Sequence, residues 1–404
     1  MKQKREFPAV TVTKKQEARI HHGHPWIYAA EITNQPEEIP NGSFVDVFGH
    51  KENYLGTGFW SEHSQIRVRL LGDNANEKYD DAFFARKVKY ALQYRRDVMG
   101  EEDFQACRLI HGESDGLPGL TVDRYNDILV SEVESYGTDL HKDVIYHELV
   151  SQLNEMDEKI SGIYERNEGE LRKKEGLSQY KGWYGEKHSS SCITEIRENG
   201  ILYEVDVENG QKTGFFLDQK YNRRAVARLA RGRTVLDCCT HTGSFALNAA
   251  KGGARSVLAM DISDTALEMA RKNAERNHLN LSFRQGDVFE VLADLKKEHA
   301  FFDFIILDPP AFTKSRKTYH NARKGYREIN SEAMRLLPRG GYLATASCSH
   351  FMPKDQFEAM LVDAANDAGV SIRIIEQRGA APDHPVMPAV PETEYLKFFL
   401  LQII

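Results

Sequence analysis

From Thr234 to the end of the chain, short apolar runs alternate with longer segments whose apolar residues recur every three or four positions. TVLDCC, SVLAMD, LSFRQGD, FDFIILD, GYLATASC, SIRIIEQ and EYLKFFLLQII read as strands, and residues 243–251, 263–277, 287–298, 322–337 and 353–368 read as helices. Ser263 suits an N-cap and Pro353 a first helical turn. This alternation predicts a parallel, doubly wound α/β sheet that takes ligands beyond the carboxyl ends of its strands. The last apolar strand is expected to lie antiparallel.

Upstream the pattern has a shorter period. TVTK (11–14), SFVDVFG (43–49), YLGTGFW (54–60) and QIRVRLL (65–71) are β-rich, with one helix near Lys14–His21. Helical spacing returns at Tyr79–Met99 through Phe83, Phe84, Val88, Ala91, Leu92 and Val98. Turn residues in GESDGLPG, a strand in DILVSEV, a helix at 139–155 and a strand near GIYER follow. The charged, glycine-bearing stretch 166–190 reads as loops. Domain edges are therefore expected near 75 and 190, giving 1–75, 76–190 and 191–404.

At 404 residues the chain is long enough for several cores, and 29 Gly and 13 Pro fit neither a fibrous nor a low-complexity class. No apolar run approaches the ~20 residues of a membrane span, and MKQKREFPAV lacks a secretory apolar core. Five cysteines with no C-x-x-C argue against a disulfide framework or a Cys-based zinc site, so no metal is expected and a cytoplasmic setting is. The net charge of -7 hides local asymmetry. Residues 1–30 sum to +4 (Lys2, Lys4, Arg5, Lys14, Lys15 and Arg19 against Glu6 and Glu17), residues 97–170 to -14 and residues 311–340 to +6. Phosphate binding follows the local field, so an RNA partner remains compatible.

Four acidic strand ends carry the candidate chemistry. Asp237 ends the first strand and Gly243 lies in the following turn, which is not a G-x-G-x-x-G dinucleotide fingerprint. Asp261, next to Ile262, ends the second strand and can accept both ribose hydroxyls of an adenosine. Asp287, next to Val288, follows the third and can meet an adenine edge. In IILDPPAF the turn Asp308-Pro309-Pro310 presents a carboxylate and a rigid carbonyl to the cleft.

These segments resemble the class I S-adenosylmethionine (SAM)-dependent methyltransferases. Motif I corresponds to Asp237–Phe245 with Thr242 and Gly243, the ribose and adenine acids to Asp261 and Asp287, and motif IV to Asp308–Phe312. QKTGFFLDQKYNR (211–223) resembles the motif X segment that covers the methionine end of the cofactor, through Thr213, Gly214, Phe216 and Asp218. The resemblance implies SAM as cofactor and a Rossmann-like sheet.

Cys348, in SCSH after the next strand, is the candidate nucleophile. Carbon 5 of cytosine is a poor nucleophile until a thiolate adds to carbon 6 and converts the ring into an enamine. Asp308 would then bond the N3/N4 edge. The competing reading of DPPAF is methylation of a guanine or adenine amine, which needs no thiol. Cys238 and Cys239 are expected to pack near the cofactor, and Cys107 and Cys192 have no discernible role. In TKSRKTYHNARKGYREIN, the cations Lys314, Arg316, Arg323 and Arg327 interleave with Tyr319 and Tyr326, which suits RNA phosphates and bases, with Pro309, Pro310 and Phe312 beside them.

A narrower resemblance covers nearly the whole chain. VTVTKKQEARIHHGHPWIY is similar to the PUA domain (an RNA-binding pseudo-barrel) that opens the RlmI-type, YccW-like ribosomal RNA methyltransferases, through Lys14, Glu17, Arg19, Gly23, His24, Pro25 and Trp26. LIHGESDGLPGLTVDRYNDILV resembles that family's small central α/β domain, and KTGFFLDQ, DPPAF, GYREIN, SCSH and Ala381–Val386 continue the match. The family implies formation of 5-methylcytosine in large-subunit (23S) ribosomal RNA, naked or partly assembled. Pro310-Ala311 stands where many RNA cytosine methyltransferases carry a second cysteine, so Cys348 would act alone. His384, in a Pro-rich loop before the final strand, either lines the base pocket or lies on the surface, and the surface is expected. A rival from another class is a PUA-led RNA-binding or ribosome-assembly factor with vestigial SAM binding. The sequence leaves the oligomeric state open, a dimer included.

Overall fold

The computed structural model describes residues 7–186, 188–313 and 316–404. The expectations placed on Lys2, Lys4, Arg5, Glu6 and Lys314 lie outside the described residues. The chain divides into two compact units, one made of Met1–Ile196, Glu204–Leu217 and Pro382–Thr393, the other of Arg197–Tyr203, Asp218–Ala381 and Glu394–Ile404.

The first unit opens with a six-stranded sheet in the spatial order Trp26–Tyr28, Ile66–Gly72, Tyr54–Trp60, Phe44–Phe48, Ala9–Val12, Ile32–Asn34. Alternate residues (Val10 and Val12, Val45 and Val47) point to one face and bury there with Ile27 and Val68. The short helix Lys14–His21 starts where Thr13 Oγ1 accepts the amide of Gln16 at 3.2 Å. A five-stranded sheet follows, ordered Tyr180–Trp183, Gly162–Asn167, Ile128–Val133, Leu120–Tyr125, Ala106–His111, with helices Asp81–Val98 and Tyr136–Glu155. Its edge strand Ala106–His111 is not evident from sequence pattern, because Arg108 breaks the apolar run. That guanidinium is satisfied by Asp123 at 2.7 Å.

The second unit holds a seven-stranded sheet: β1 (Thr234–Cys238), β2 (Ser256–Asp261), β3 (Ser282–Gln285), β4 (Phe304–Leu307), β5 (Tyr342–Ser347), β6 (Ile372–Arg378) and β7 (Lys397–Ile403). Their spatial order is β3-β2-β1-β4-β5-β7-β6. All neighbouring pairs from β3 to β5 are parallel, and β7 is antiparallel to both β5 and β6, as expected of the last strand. Successive strand residues feed opposite cores. Val235, Phe304, Ile306, Ala344 and Phe398 pack on α1 (Lys220–Ala230) and α2 (Ser244–Lys251). Leu236, Ile305, Leu307, Leu343 and Phe399 pack on α4 (Val288–Lys297), α5 (Tyr319–Leu336) and α6 (Lys354–Ala368). α3 (Asp264–Arg276) follows β2, where Ser263 Oγ accepts the Ala266 amide at 3.2 Å. Burial on both faces explains the near-continuous apolar runs of the inner strands. The strand order reverses between β1 and β4, which opens a crevice at their carboxyl ends. The doubly wound α/β expectation is borne out. Among the described residues no helix is long and apolar enough to cross a membrane.

Candidate active site

The pairing register brings the acidic strand ends to one edge of the sheet. Asp237 lies opposite Ala259 and Ile306, and Asp261 opposite Gln285. After β1 the chain turns back sharply, with positive φ at Cys239 (61°), His241 (51°) and Gly243 (83°). Left-handed backbone costs a non-glycine residue about 1–2 kcal/mol, and such strain concentrates at functional turns. At Gly243 a Cβ would be crowded, sitting 3.0 Å from the Cβ of Ala270 on α3 in addition to its left-handed φ.

Asp237 is fully buried. Its Oδ2 accepts Thr240 Oγ1 at 2.5 Å and the Ala246 amide at 2.9 Å, while its Oδ1 has no hydrogen-bond partner among the described residues. Burial pushes this carboxyl up to about 8, against the pull of those two hydrogen bonds. Thr242 Oγ1 is likewise buried and without a partner there. Asp261 is half-buried and oriented by two backbone donors, His241 N–H to Oδ2 at 2.8 Å and Ser263 N–H to Oδ1 at 3.0 Å. Asp287 caps α4, its Oδ1 accepting the Phe289 amide at 2.9 Å. Beside these acids, Ile262 is exposed and Val288 half-buried.

Past β4, Asp308 Oδ1 accepts Gln219 Nε2 at 3.0 Å, and Gln219 is itself held by Asn222 Nδ2 at 2.6 Å. Pro309 is buried and Pro310 exposed. Cys348 is half-buried in the turn after β5, between two buried serines that anchor it. Ser347 Oγ donates to the Tyr326 hydroxyl at 3.0 Å, and Ser349 Oγ donates to the Thr313 carbonyl at 2.9 Å. The second bond ties the cysteine turn to the Asp308–Phe312 turn. Burial takes the Tyr326 hydroxyl up to about 12, against the pull of the Ser347 bond and with smaller contributions from negative charge at Cys348 and Asp308.

Several expected positions have other employment. Tyr326 is fully buried, its ring 4.5 Å from Phe312 and 5.5 Å from Phe357, so it cannot stack on a base. Phe312 is half-buried against Tyr326 and, at 6.4 Å, Phe289. Arg323 is paired with Asp363, and Arg327 grips Asp367 through two bonds of 2.5 and 2.6 Å, which clamps α5 to α6. Lys317, His320 and Lys324 remain exposed. Arg316 opens a short 3-10 turn. Asp218 Oδ2 accepts the Tyr395 hydroxyl at 2.6 Å. Cys238 is buried in the sheet.

Thr213, Gly214 and Phe216 belong to the first unit. There Thr213 Oγ1 donates to Asp123 Oδ2 at 2.6 Å and meets the Tyr125 hydroxyl at 2.8 Å. A Cβ on Gly214 would strike Val205, and Lys212 Nζ lies 4.6 Å above the Phe216 ring. His384 is buried in the same unit rather than on a surface loop. Its Nδ1 lies 2.8 Å from Asp383 Oδ1, and Asp383 Oδ2 accepts the Arg108 amide at 2.8 Å. Gln219 and Lys397 were not singled out by sequence. Gln219 lies within KTGFFLDQ, while Lys397 interrupts an apolar strand and could have been noticed on that ground.

Comparison with known proteins decides the family. The profile described as S-adenosylmethionine-dependent methyltransferase matches residues 183–401, and a PUA-like domain matches residues 10–73. Ribosomal RNA large subunit methyltransferase I of Pseudoalteromonas atlantica is 41% identical over 398 residues, 98% of this chain and 99% of that one. The chain belongs to the ribosomal RNA large subunit methyltransferase I family. A Streptococcus mutans structure provisionally described as a SAM-dependent methyltransferase shares the fold at TM-score 0.82 and 21% identity, covering 98% and 99% of the two chains. Another methyltransferase structure, also provisionally described and in complex with SAH, gives TM-score 0.83 at 20% identity over 98% and 99%. The family member is thus a SAM-dependent methyltransferase with a PUA-like domain. Its strand-end residues fit that cofactor: Asp237 Oδ1 and Thr242 Oγ1 are buried polar atoms that a polar, cationic ligand would satisfy.

Proposed function

We propose that this methyltransferase acts on large-subunit ribosomal RNA in the cytoplasm and makes 5-methylcytosine through a covalent Cys348 adduct. One observation carries the reading: the Ser349–Thr313 hydrogen bond joins the cysteine turn to the turn that bears Asp308. Bound SAM supplies an electrophilic methyl group. Thr242, Gly243, Asp261 and Asp287 would hold it, with Asp237 beneath.

The Cys348 thiolate adds to carbon 6 of cytosine, forming a carbon–sulfur bond and moving the ring electrons toward carbon 5. Asp308, fixed by Gln219, accepts from the N4 amino group and, carrying a proton, gives it to N3 as negative charge accumulates there. Carbon 5 would take the methyl group that bound SAM supplies, with S-adenosylhomocysteine as the leaving group; a water molecule in the cleft then takes the carbon 5 proton, and the returning electrons expel the Cys348 thiolate. Lys317, Lys324 and the PUA-like domain supply cationic and RNA-facing surface.

The test is nucleoside mass mapping of large-subunit RNA after reaction with the protein, its Cys348→Ala variant and its Asp308→Ala variant. The expected result is 5-methylcytosine with the native chain, product lowered more than 1000-fold in Cys348→Ala, and a 100- to 1000-fold loss in Asp308→Ala. A methylated purine amine that persists in Cys348→Ala would establish the amine chemistry instead. No labelled methyl in any RNA would point to a binding factor.

A further inference from the structure

β5 and β7 run antiparallel with Ser347 directly opposite Lys397, so the first residue of the final strand lies beside the turn that carries Cys348. The lysine is only 3% exposed. Its ammonium donates to the Ser349 carbonyl, one residue past the cysteine, and to the Tyr395 carbonyl at 2.7 Å. A buried ammonium is costly, and an apolar residue would fill this buried strand end more cheaply. We propose that Lys397 is a positioning residue for the reaction: its ammonium braces the cysteine turn and favours the thiolate of Cys348.

The inference rests on the reading of Cys348 as nucleophile. Burial draws the Lys397 ammonium down to about 8, and negative charge at Cys348 acts in the opposite direction. The interaction is mutual, so the ammonium favours the thiolate by the same coupling. Glu394, from the segment before β7, adds a weaker favourable charge. A small cleft of about 100 Å³ beside Lys397 is also lined by Lys354 and Arg378. Negative charge at Cys348 and at Asp308 also acts on the Tyr326 hydroxyl of α5.

The test is alkylation of the full-length protein by iodoacetamide across pH, read at the Cys348 peptide by mass spectrometry so that the other cysteines do not contribute. In the native chain the midpoint is expected below the ~8.5 of an ordinary thiol. Lys397→Met is expected to raise it by about one pH unit and to lower kcat about tenfold with KM for RNA unchanged. Lys397→Arg, which keeps the charge, should restore most of both. A native midpoint at or above ~8.5, or an unmoved midpoint in a folded Lys397→Met variant, overturns the proposal. Undiminished methylation by Cys348→Ser would instead overturn the nucleophile reading, which the alkylation midpoint does not address.

Discussion

Asp237 carries a folding penalty set by its burial. Its carboxyl is raised to about 8 by burial, so the folded state holds a proton that the unfolded chain releases near 3.9. Stability from such a group is fully present below the unfolded value and is lost as pH rises through the folded one. The melting temperature of cofactor-free protein should therefore fall relative to Asp237→Asn between pH 4 and pH 8, then run parallel above about 8. Calorimetry of the two proteins across that range checks it; a constant difference would mean that Asp237 stays charged throughout. Individual side chains were the least legible part of the sequence. His384 reads as surface because Pro-rich loops usually are, but the adjacent Asp383 and the Arg108 amide draw it inside. Tyr326 sits among cations, and only its spacing with Ala322, Ile329 and Ala333 reveals the buried face of an amphipathic helix.

Secondary-structure elements were far more legible, because apolar period and capping chemistry act locally. The expected helices at 263–277 and 353–368 are the observed Asp264–Arg276 and Lys354–Ala368 to within a residue at each end. The α1 helix is not evident from sequence pattern, its apolar face being diluted by buried Lys220, Asn222 and Arg223. Arg323 and Arg327 show the limit of composition, since the neighbouring acids that pair with them come from α6, 40 residues later. At the turn from β1 to α2, geometry dictates a sharper expectation. Gly243→Ala places a methyl group in left-handed backbone and 3.0 Å from Ala270, so it should cost about 1–3 kcal/mol of stability. It should also weaken SAM binding at least tenfold, as measured by titration calorimetry. Native affinity in a folded variant would show that the turn relaxes without consequence.

At the level of the whole chain, contacts do not follow a simple series of beads. Segments 204–217 and 382–393 associate with the N-terminal unit, although sequence pattern groups both with residues 191–404. Local periodicity cannot reveal this, since the ties reach far along the chain: Thr213 to Asp123, and Asp383 to Arg108. A fragment of residues 191–404 would strip both segments of those partners. It should lack the sharp thermal transition of the intact protein and bind a hydrophobic dye at ambient temperature; melting within a few degrees of the full chain would show the ties to be dispensable.

The same interleaving bears on inheritance and engineering. A graft that exchanged only the N-terminal stretch for that of another enzyme would leave two short later pieces matched to a lost host. Recombination between distant relatives should therefore succeed when Glu204–Leu217 and Pro382–Thr393 travel with the donor, and fail when they stay behind.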